Sequence, residues 1–224
     1  MRDFSPRSAL ALMAVFALPL LAIGSDQASV AADHFDPPTR VDAAVAANPD
    51  IPADLADLYV FQTATSLVIA EGFAGPRPSS IASTYDRDVL YTIFVSNTGD
   101  KTVPEFKIQW RVAPDKTNPA AFGVMFTGLP GVAAPLIGPA ETTLTAPNGV
   151  KAMIGLFDDP FNFDAAGLTE TRATGRLSIR NDRNRFTLQN TMAVVFEIPL
   201  ALVRSGTDPI AAWGTSQRIK AGVQ

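Results

Sequence analysis

Val89-Leu90-Tyr91-Thr92-Ile93-Phe94-Val95-Ser96, then the turn Asn97-Thr98-Gly99-Asp100, then Glu105-Phe106-Lys107-Ile108-Gln109-Trp110-Arg111-Val112, is the stretch that decides the fold. The first segment is apolar at nearly every position, so both of its faces meet packed material and it belongs inside a sheet. The second alternates strictly, with Phe106, Ile108, Trp110 and Val112 on one face and Lys107, Gln109 and Arg111 on the other. One dry face and one wet face mark an antiparallel sheet. Lys107, Gln109 and Arg111 on the wet face are a candidate partner surface.

Reading outward, Asp57 to Gln62 and Ser66 to Ala70 are short strands, and the Gly-, Pro- and Ser-rich stretch from Glu71 to Thr84 reads as a loop over the sheet. Phe122 to Leu129 gives a further strand, followed by a Gly and Pro interruption and a polar strand at Glu141 to Ala146. Asn148-Gly149 is the natural pair for a type I′ turn into Val150 to Leu156, because both central positions of that turn need positive φ. Asp164 to Gly175 reads as a mixed loop or short helix, and Leu177 to Ile179 and Phe186 to Leu188 as minor strands. Met192 to Ile198 alternates and stops at Pro199. Leu200 to Arg204 forms a helical turn, and Ile210 to Thr215 closes the sheet. No run reads as a long helix between strands. The expected fold is therefore mostly β, an antiparallel β-sandwich or related two-layer sheet fold with short helices.

The start of the chain carries a different signal. Arg2 and Arg7 precede an uncharged apolar run from Ala9 to Ile23, with Ala22 and Gly24 placed for cleavage before Ser25, or Val30 and Ala32 for cleavage before Asp33. Residues 1–24 are expected to be a signal peptide, 25–56 an acidic extended lead-in with a helical turn over Val41 to Ala47, and 57–224 a single β-rich domain. The product is expected in a periplasm or secreted, with no transmembrane segment once the signal is cut.

Composition narrows the chemistry. The 224 residues include no Cys and one His, which excludes disulfides, Cys-based metal centres and cysteine nucleophiles. A formal charge of −4 argues against nucleic acid, which is held largely by Lys and Arg. His34, between Asp33 and Asp36, is the only imidazole from which a hydrolase could be built, and no Gly-x-Ser-x-Gly elbow accompanies it. No phosphate-binding glycine pattern is present. Asp54 and Asp57, Asp86 and Asp88, and above all Asp158, Asp159 and Asp164 offer hard oxygens suited to calcium, although short-range Asp serves turns and caps equally well. Phe157, Phe161, Phe163, Tyr59, Phe61, Tyr91 and Trp213 are candidates for lining an apolar ligand pocket or for simple packing.

Several motifs run in one order: Ala32-Asp33-His34-Phe35-Asp36, Asp54-Leu55-Ala56-Asp57-Leu58-Tyr59-Val60-Phe61, Tyr85-Asp86-Arg87-Asp88-Val89-Leu90-Tyr91, and Asn97-Thr98-Gly99-Asp100. Gly155-Leu156-Phe157-Asp158-Asp159-Pro160-Phe161-Asn162-Phe163-Asp164, Val194 to Leu200 and Ala212-Trp213-Gly214-Thr215-Ser216 complete the series. Together they resemble the bacterial DUF4331 family of exported domains, with Ala32-Asp33-His34 standing where some members have Ser-Ser-His. That resemblance implies export and supplies no catalytic residues. The resulting expectation is an exported structural or protein-interaction domain, an accessory subunit of an exported assembly, with no cofactor. A calcium- or small-ligand-binding module is the first alternative, and a hydrolase using His34 with nearby Asp the second.

Overall fold

The computed structural model describes residues 37–40 and 49–219. A 3₁₀ turn (Ile51–Ala53) leads into β1 (Leu55–Gln62), β2 (Ser66–Pro78), β3 (Val89–Ser96), β4 (Phe106–Pro114), β5 (Phe122–Thr127), β6 (Leu136–Pro139), β7 (Leu144–Thr145) and β8 (Lys151–Asp158). Helix α1 (Ala165–Thr174), β9 (Gln189–Pro199), a one-turn α2 (Leu200–Val203) and β10 (Ala211–Arg218) follow. Two five-stranded antiparallel sheets result, sheet 1 in the order β1-β2-β9-β8-β7 and sheet 2 in the order β10-β3-β4-β5-β6. They pack face to face, so the mostly β two-layer sandwich expected from the sequence is what forms.

The inner faces follow from the two-residue period. On β3, Val89, Tyr91, Ile93 and Val95 are buried, and on β4 Ile108, Trp110 and Val112 are buried. Sheet 1 answers with Leu67, Ile69 and Phe73 from β2 and Met192, Val194, Phe196 and Ile198 from β9. Aromatic rings join the layers. The Tyr91 ring stacks on Trp110 with centroids 5.1 Å apart and lies 4.7 Å from Phe73, while Phe196 meets Trp110 and Phe126 edge-on at 6.0 and 5.5 Å. Rings in offset or edge-to-face contact add to the burial term and fix the spacing between the sheets. The 3₁₀ turn ties the open end, because the Tyr91 hydroxyl donates to Pro52 O and Ser216 Oγ donates to Ala53 O. The described part of the lead-in also packs on this body. Asp50 N–H donates to Pro38 O (2.8 Å), and the Asp50 carboxylate holds Arg40 and Arg218.

Several local expectations are corrected. The loop read from Glu71 to Thr84 is strand as far as Pro78, because Gly72 and Gly75 are spent on close approach rather than on a turn. A Cβ on Gly75 would stand 2.9 Å from Thr191 Cα, and one on Gly72 would stand 3.1 Å from Ala56 Cβ. Between Phe73 and Arg77 the register slips in a bulge that also contains the cis Gly75–Pro76 peptide. The type I′ turn is not formed. Gly149 alone has positive φ (88°), its N–H donates to Ala146 O (3.0 Å), and the Asn148 amide is drawn away to Pro130 O (2.9 Å).

The polar strand at Glu141 to Ala146 shrinks to β7, while β6 arises inside the Gly and Pro interruption by pairing with β5. Leu177 to Ile179 and Phe186 to Leu188 are not strands. Their neighbourhood spends its backbone donors on side chains: Ser178 N–H donates to Thr171 Oγ1 (2.9 Å) and Arg180 N–H to Asp164 Oδ2 (2.9 Å). The helical turn read over Val41 to Ala47 lies outside the described residues, as do residues 1–24.

Candidate functional site

On sheet 1, successive residues of β2 point alternately in and out, and the two sets differ sharply in size. Ile69, Glu71 and Phe73 face the core, while Ala70 and Gly72 face outward. Strand β9 repeats the pattern, with Met192, Val194 and Phe196 inward and Thr191, Ala193 and Val195 outward. The register sets Tyr59 beside Ala70 and Val195, Gly72 beside Ala193, and Phe157 beside Thr191. Small outward residues in the middle of the sheet and large ones around them leave a hollow of about 210 Å³. Its floor is Ala70, Gly72, Thr191 and Ala193. Tyr59, Phe157, Pro160 and Val195 form the walls, and Asp57, Asp158 and Asp159 supply the charge.

Each acid of the hollow accepts at least one hydrogen bond from a neighbour in the fold. The Tyr59 hydroxyl donates to Asp57 Oδ2 (2.7 Å) and Phe161 N–H to Asp159 Oδ1 (2.9 Å). The Asn190 amide, oriented to satisfy its own bonds, donates to Asp158 Oδ1 (3.2 Å). Burial, the bond to Asp57 and the charges of Asp57 and Asp159 together push the Tyr59 phenol well above its ordinary range, so it stays a donor. Chemically the site is a small apolar recess bordered by three acidic side chains.

The other sequence candidates are placed as follows. Asp164 does not join Asp158 and Asp159. It caps α1, accepting from Gly167 N–H (2.7 Å), and binds Arg183 (2.8 Å). Burial works to raise the Asp164 carboxyl, but the Gly167 and Arg180 N–H bonds and the Arg183 charge outweigh it and hold it below its ordinary value. Asp86 pairs with Arg218 (2.6 Å) and also accepts from Asp88 N–H (2.8 Å). Asp54 ends the 3₁₀ turn, and its carbonyl accepts from Ala74 N–H (3.0 Å). Among the described residues no three acidic or imidazole groups converge to hold a metal ion. His34, with Asp33 and Asp36, lies outside the described residues.

Of the aromatic candidates, Tyr59 and Phe157 stand in the hollow and Phe61 one rung away on the same face, paired with Val68. Phe161 packs instead on Phe163 and Phe186, and Tyr91 is core. Trp213 stacks on Phe94 outside sheet 2. Lys107, Gln109 and Arg111 do face outward from sheet 2, but they are engaged there: Gln109 donates to Thr92 Oγ1 (3.1 Å), Arg111 donates to Arg87 O (3.2 Å), and the Lys107 ammonium sits 5.9 Å over the Phe94 ring.

The floor residues Ala70, Gly72, Thr191 and Ala193 were not singled out from the sequence. The signal that marks them is a two-residue period in side-chain size, small against large, laid over the familiar period in polarity. Compared with protein-family models, with curated proteins and with solved structures, the chain finds no match.

Proposed function

We propose that this chain is an exported protein-interaction domain, an accessory subunit that docks to another exported protein through the outer face of sheet 1. The observation that carries the reading is the apolar character of that face around the hollow. Phe61 is 55% exposed, and Val68, Tyr59, Val195 and Phe157 continue from it without a covering layer among the described residues. Exposed apolar area with a recess at its centre is the anatomy of a binding surface, where a partner side chain is buried and water excluded. The order of motifs shared with the DUF4331 family agrees with export. The small-ligand alternative draws on the same hollow, and the experiment separates the two.

A photo-crosslinking amino acid is placed at Phe61 on sheet 1, and in a second variant at Thr215 on the outer face of sheet 2. Both are expressed at native level in the producing cell. The expected result is one protein adduct of fixed mass from position 61 and none from position 215. No adduct at 61, or the same adduct from both faces, overturns the proposal.

A further inference from the structure

Strand β1 is one border of sheet 1, and the hairpin into β2 fixes which of its backbone groups face the open side. Thr63 N–H donates to Ser66 O (2.8 Å), so these two are a hydrogen-bonded pair, and in an antiparallel ladder such pairs alternate with pairs that exchange no bond. Along the register from there, Phe61 with Val68 and Tyr59 with Ala70 turn their amides toward β2, whereas Leu58, Val60 and Gln62 turn theirs away from it. Among the described residues no backbone bond takes these outward groups up.

We propose that this edge is closed by the same edge of a second copy of the chain, the two β1 strands running antiparallel about a two-fold axis at Val60. The proposal concerns the edge of sheet 1 and is independent of the partner assigned to its outer face.

Register is the first argument. With the axis at Val60, that residue faces the second copy's Val60, Leu58 faces its Gln62, and Gln62 faces its Leu58. Every outward N–H then meets an outward C=O, and none on either strand is left over. An axis at Tyr59 would carry Gln62 against the bulge before Leu58, and one at Phe61 would carry Leu58 against the hairpin turn at Ala64.

Side chains are the second. On the outer face the same axis sets Tyr59 beside the second copy's Phe61, and Phe61 beside its Tyr59, at positions without backbone bonds, where cross-strand side chains come closest. Val60 shares its face with the fully buried Ile69 yet is 38% exposed, since nothing beyond the strand border covers it, and across the axis it meets another valine. Charge agrees. Leu58 to Gln62 carries none, and Asp57 falls opposite Thr63, so no like charges meet.

The other borders of the sheets are managed differently. Strand β7 has two residues, β6 has four and ends on Pro139, and the end of β10 is tied down by Arg218 on Asp50 and Asp86. Brevity, proline and charge are the usual means of keeping a strand edge from pairing, and Leu58 to Gln62 uses none of them.

The test is the mass of the purified protein by light scattering over a dilution series from about 100 μM, with amide exchange followed by NMR. The expected mass is twice that of one chain at the top of the series, falling toward one chain on dilution. The amides of Leu58, Val60 and Gln62 should exchange severalfold more slowly when concentrated than when dilute, with Tyr59 and Phe61 unchanged. Val60→Pro removes an outward N–H and leaves the ladder to β2 intact, so it should give the mass of one chain throughout with a wild-type circular dichroism spectrum. Val60→Lys, which sets two ammonium groups together across the axis, should also give one chain, with the dimer partly restored by high salt.

A single-chain mass for the wild type at about 100 μM overturns the proposal. A dimer that survives in folded Val60→Pro, or one whose Leu58, Val60 and Gln62 amides exchange alike at both concentrations, overturns it in favour of another face. Should both variants fail to fold, the wild-type exchange pattern decides alone. A single-chain mass leaves the outside partner of sheet 1 standing, because the purified sample contains no other protein. A Phe61 adduct of twice the chain mass would be the second copy and would count for the dimer alone.

Discussion

The two outer faces of the sandwich are each carried by five antiparallel strands and end up in opposite conditions. Outside sheet 2, long side chains answer one another across the rungs: Gln109 reaches Thr92, Lys107 covers Phe94, and Phe94 stacks on Trp213 at 5.5 Å. Outside sheet 1, the middle of the sheet is Ala and Gly, and the groups around it border a recess they do not fill. A face whose side chains satisfy one another is finished by its own strands. A face from which side chains have been withheld stays open among the described residues, and that difference, more than polarity, directs the proposed function to sheet 1.

The comparison breaks most readily on β9, which borders the core on one side and the hollow on the other. Phe196 is fully buried between Trp110 and Phe126, whereas its neighbour Val195 faces the hollow. Phe196→Ala should lower the unfolding free energy by about 3–5 kcal/mol, through lost transfer energy and the cavity left between the sheets. Val195→Ala should cost about 1 kcal/mol or less, since its side chain is only partly withdrawn from water. Urea denaturation measures both. Equal losses would mean that the outer face of sheet 1 is as packed as the core, and the contrast between the faces would dissolve.

Strand β2 offers a second test, between acids on opposite sides of one sheet. Asp57, Asp158 and Asp159 border the outer hollow, while Glu71 points inward with a relative exposure of 2%. Its Oε2 has no hydrogen-bond partner among the described residues, and it occupies the space that a side chain at Gly214 would need. Burial pushes the Glu71 carboxyl up to about 8, so it is largely protonated at neutral pH.

A carboxyl that binds its proton more tightly folded than unfolded stabilises the fold at low pH. That contribution is complete below the unfolded value of 4.5 and is lost as pH rises toward and through about 8. Wild-type unfolding free energy should therefore fall by a few kcal/mol across this window, on a scale of about 1.4 kcal/mol for each tenfold change in proton affinity. Glu71→Gln should flatten that slope and be the more stable form at alkaline pH. Parallel pH profiles for the two proteins would show that Glu71 reaches water or a partner.

These contrasts were unequally visible in the chain. The β3–β4 pair was legible because an unbroken apolar run and a strict alternation leave one arrangement that buries Tyr91, Ile93, Ile108 and Trp110 together. The second half of β2 was not, because Gly72, Gly75 and Pro76 carry the local chemistry of a loop and their role in a close strand crossing depends on Thr191, more than a hundred residues on. The acids of the hollow were legible as residues but not as a group. Asp158 and Asp159 were joined in sequence to Asp164, yet α1 claims Asp164 as its cap, and the carboxylate that shares their hollow is Asp57 on β1. Residues that work by being small leave no motif of their own.

The smallest expected effect is the one that guards the sheet 2 side of the comparison. Lys107, Gln109 and Arg111 were the sequence's candidate partner surface, and each now has an intramolecular contact that is individually weak. A solvent-exposed ammonium over a ring is worth about 0.5–1 kcal/mol, and a side-chain hydrogen bond about 1 kcal/mol net. Replacing Lys107 and Gln109 singly by Ala should therefore lower stability by about 1 kcal/mol or less in each case, measured by urea denaturation. The more telling readout is the adduct formed from Phe61, whose yield should not change in either variant. If Lys107→Ala or Gln109→Ala abolished that adduct without unfolding the protein, the partner would have to reach around the edge of the sandwich to both faces. The outer side of sheet 2 would then be unfinished as well, with its mutual contacts merely parking side chains until the partner arrives.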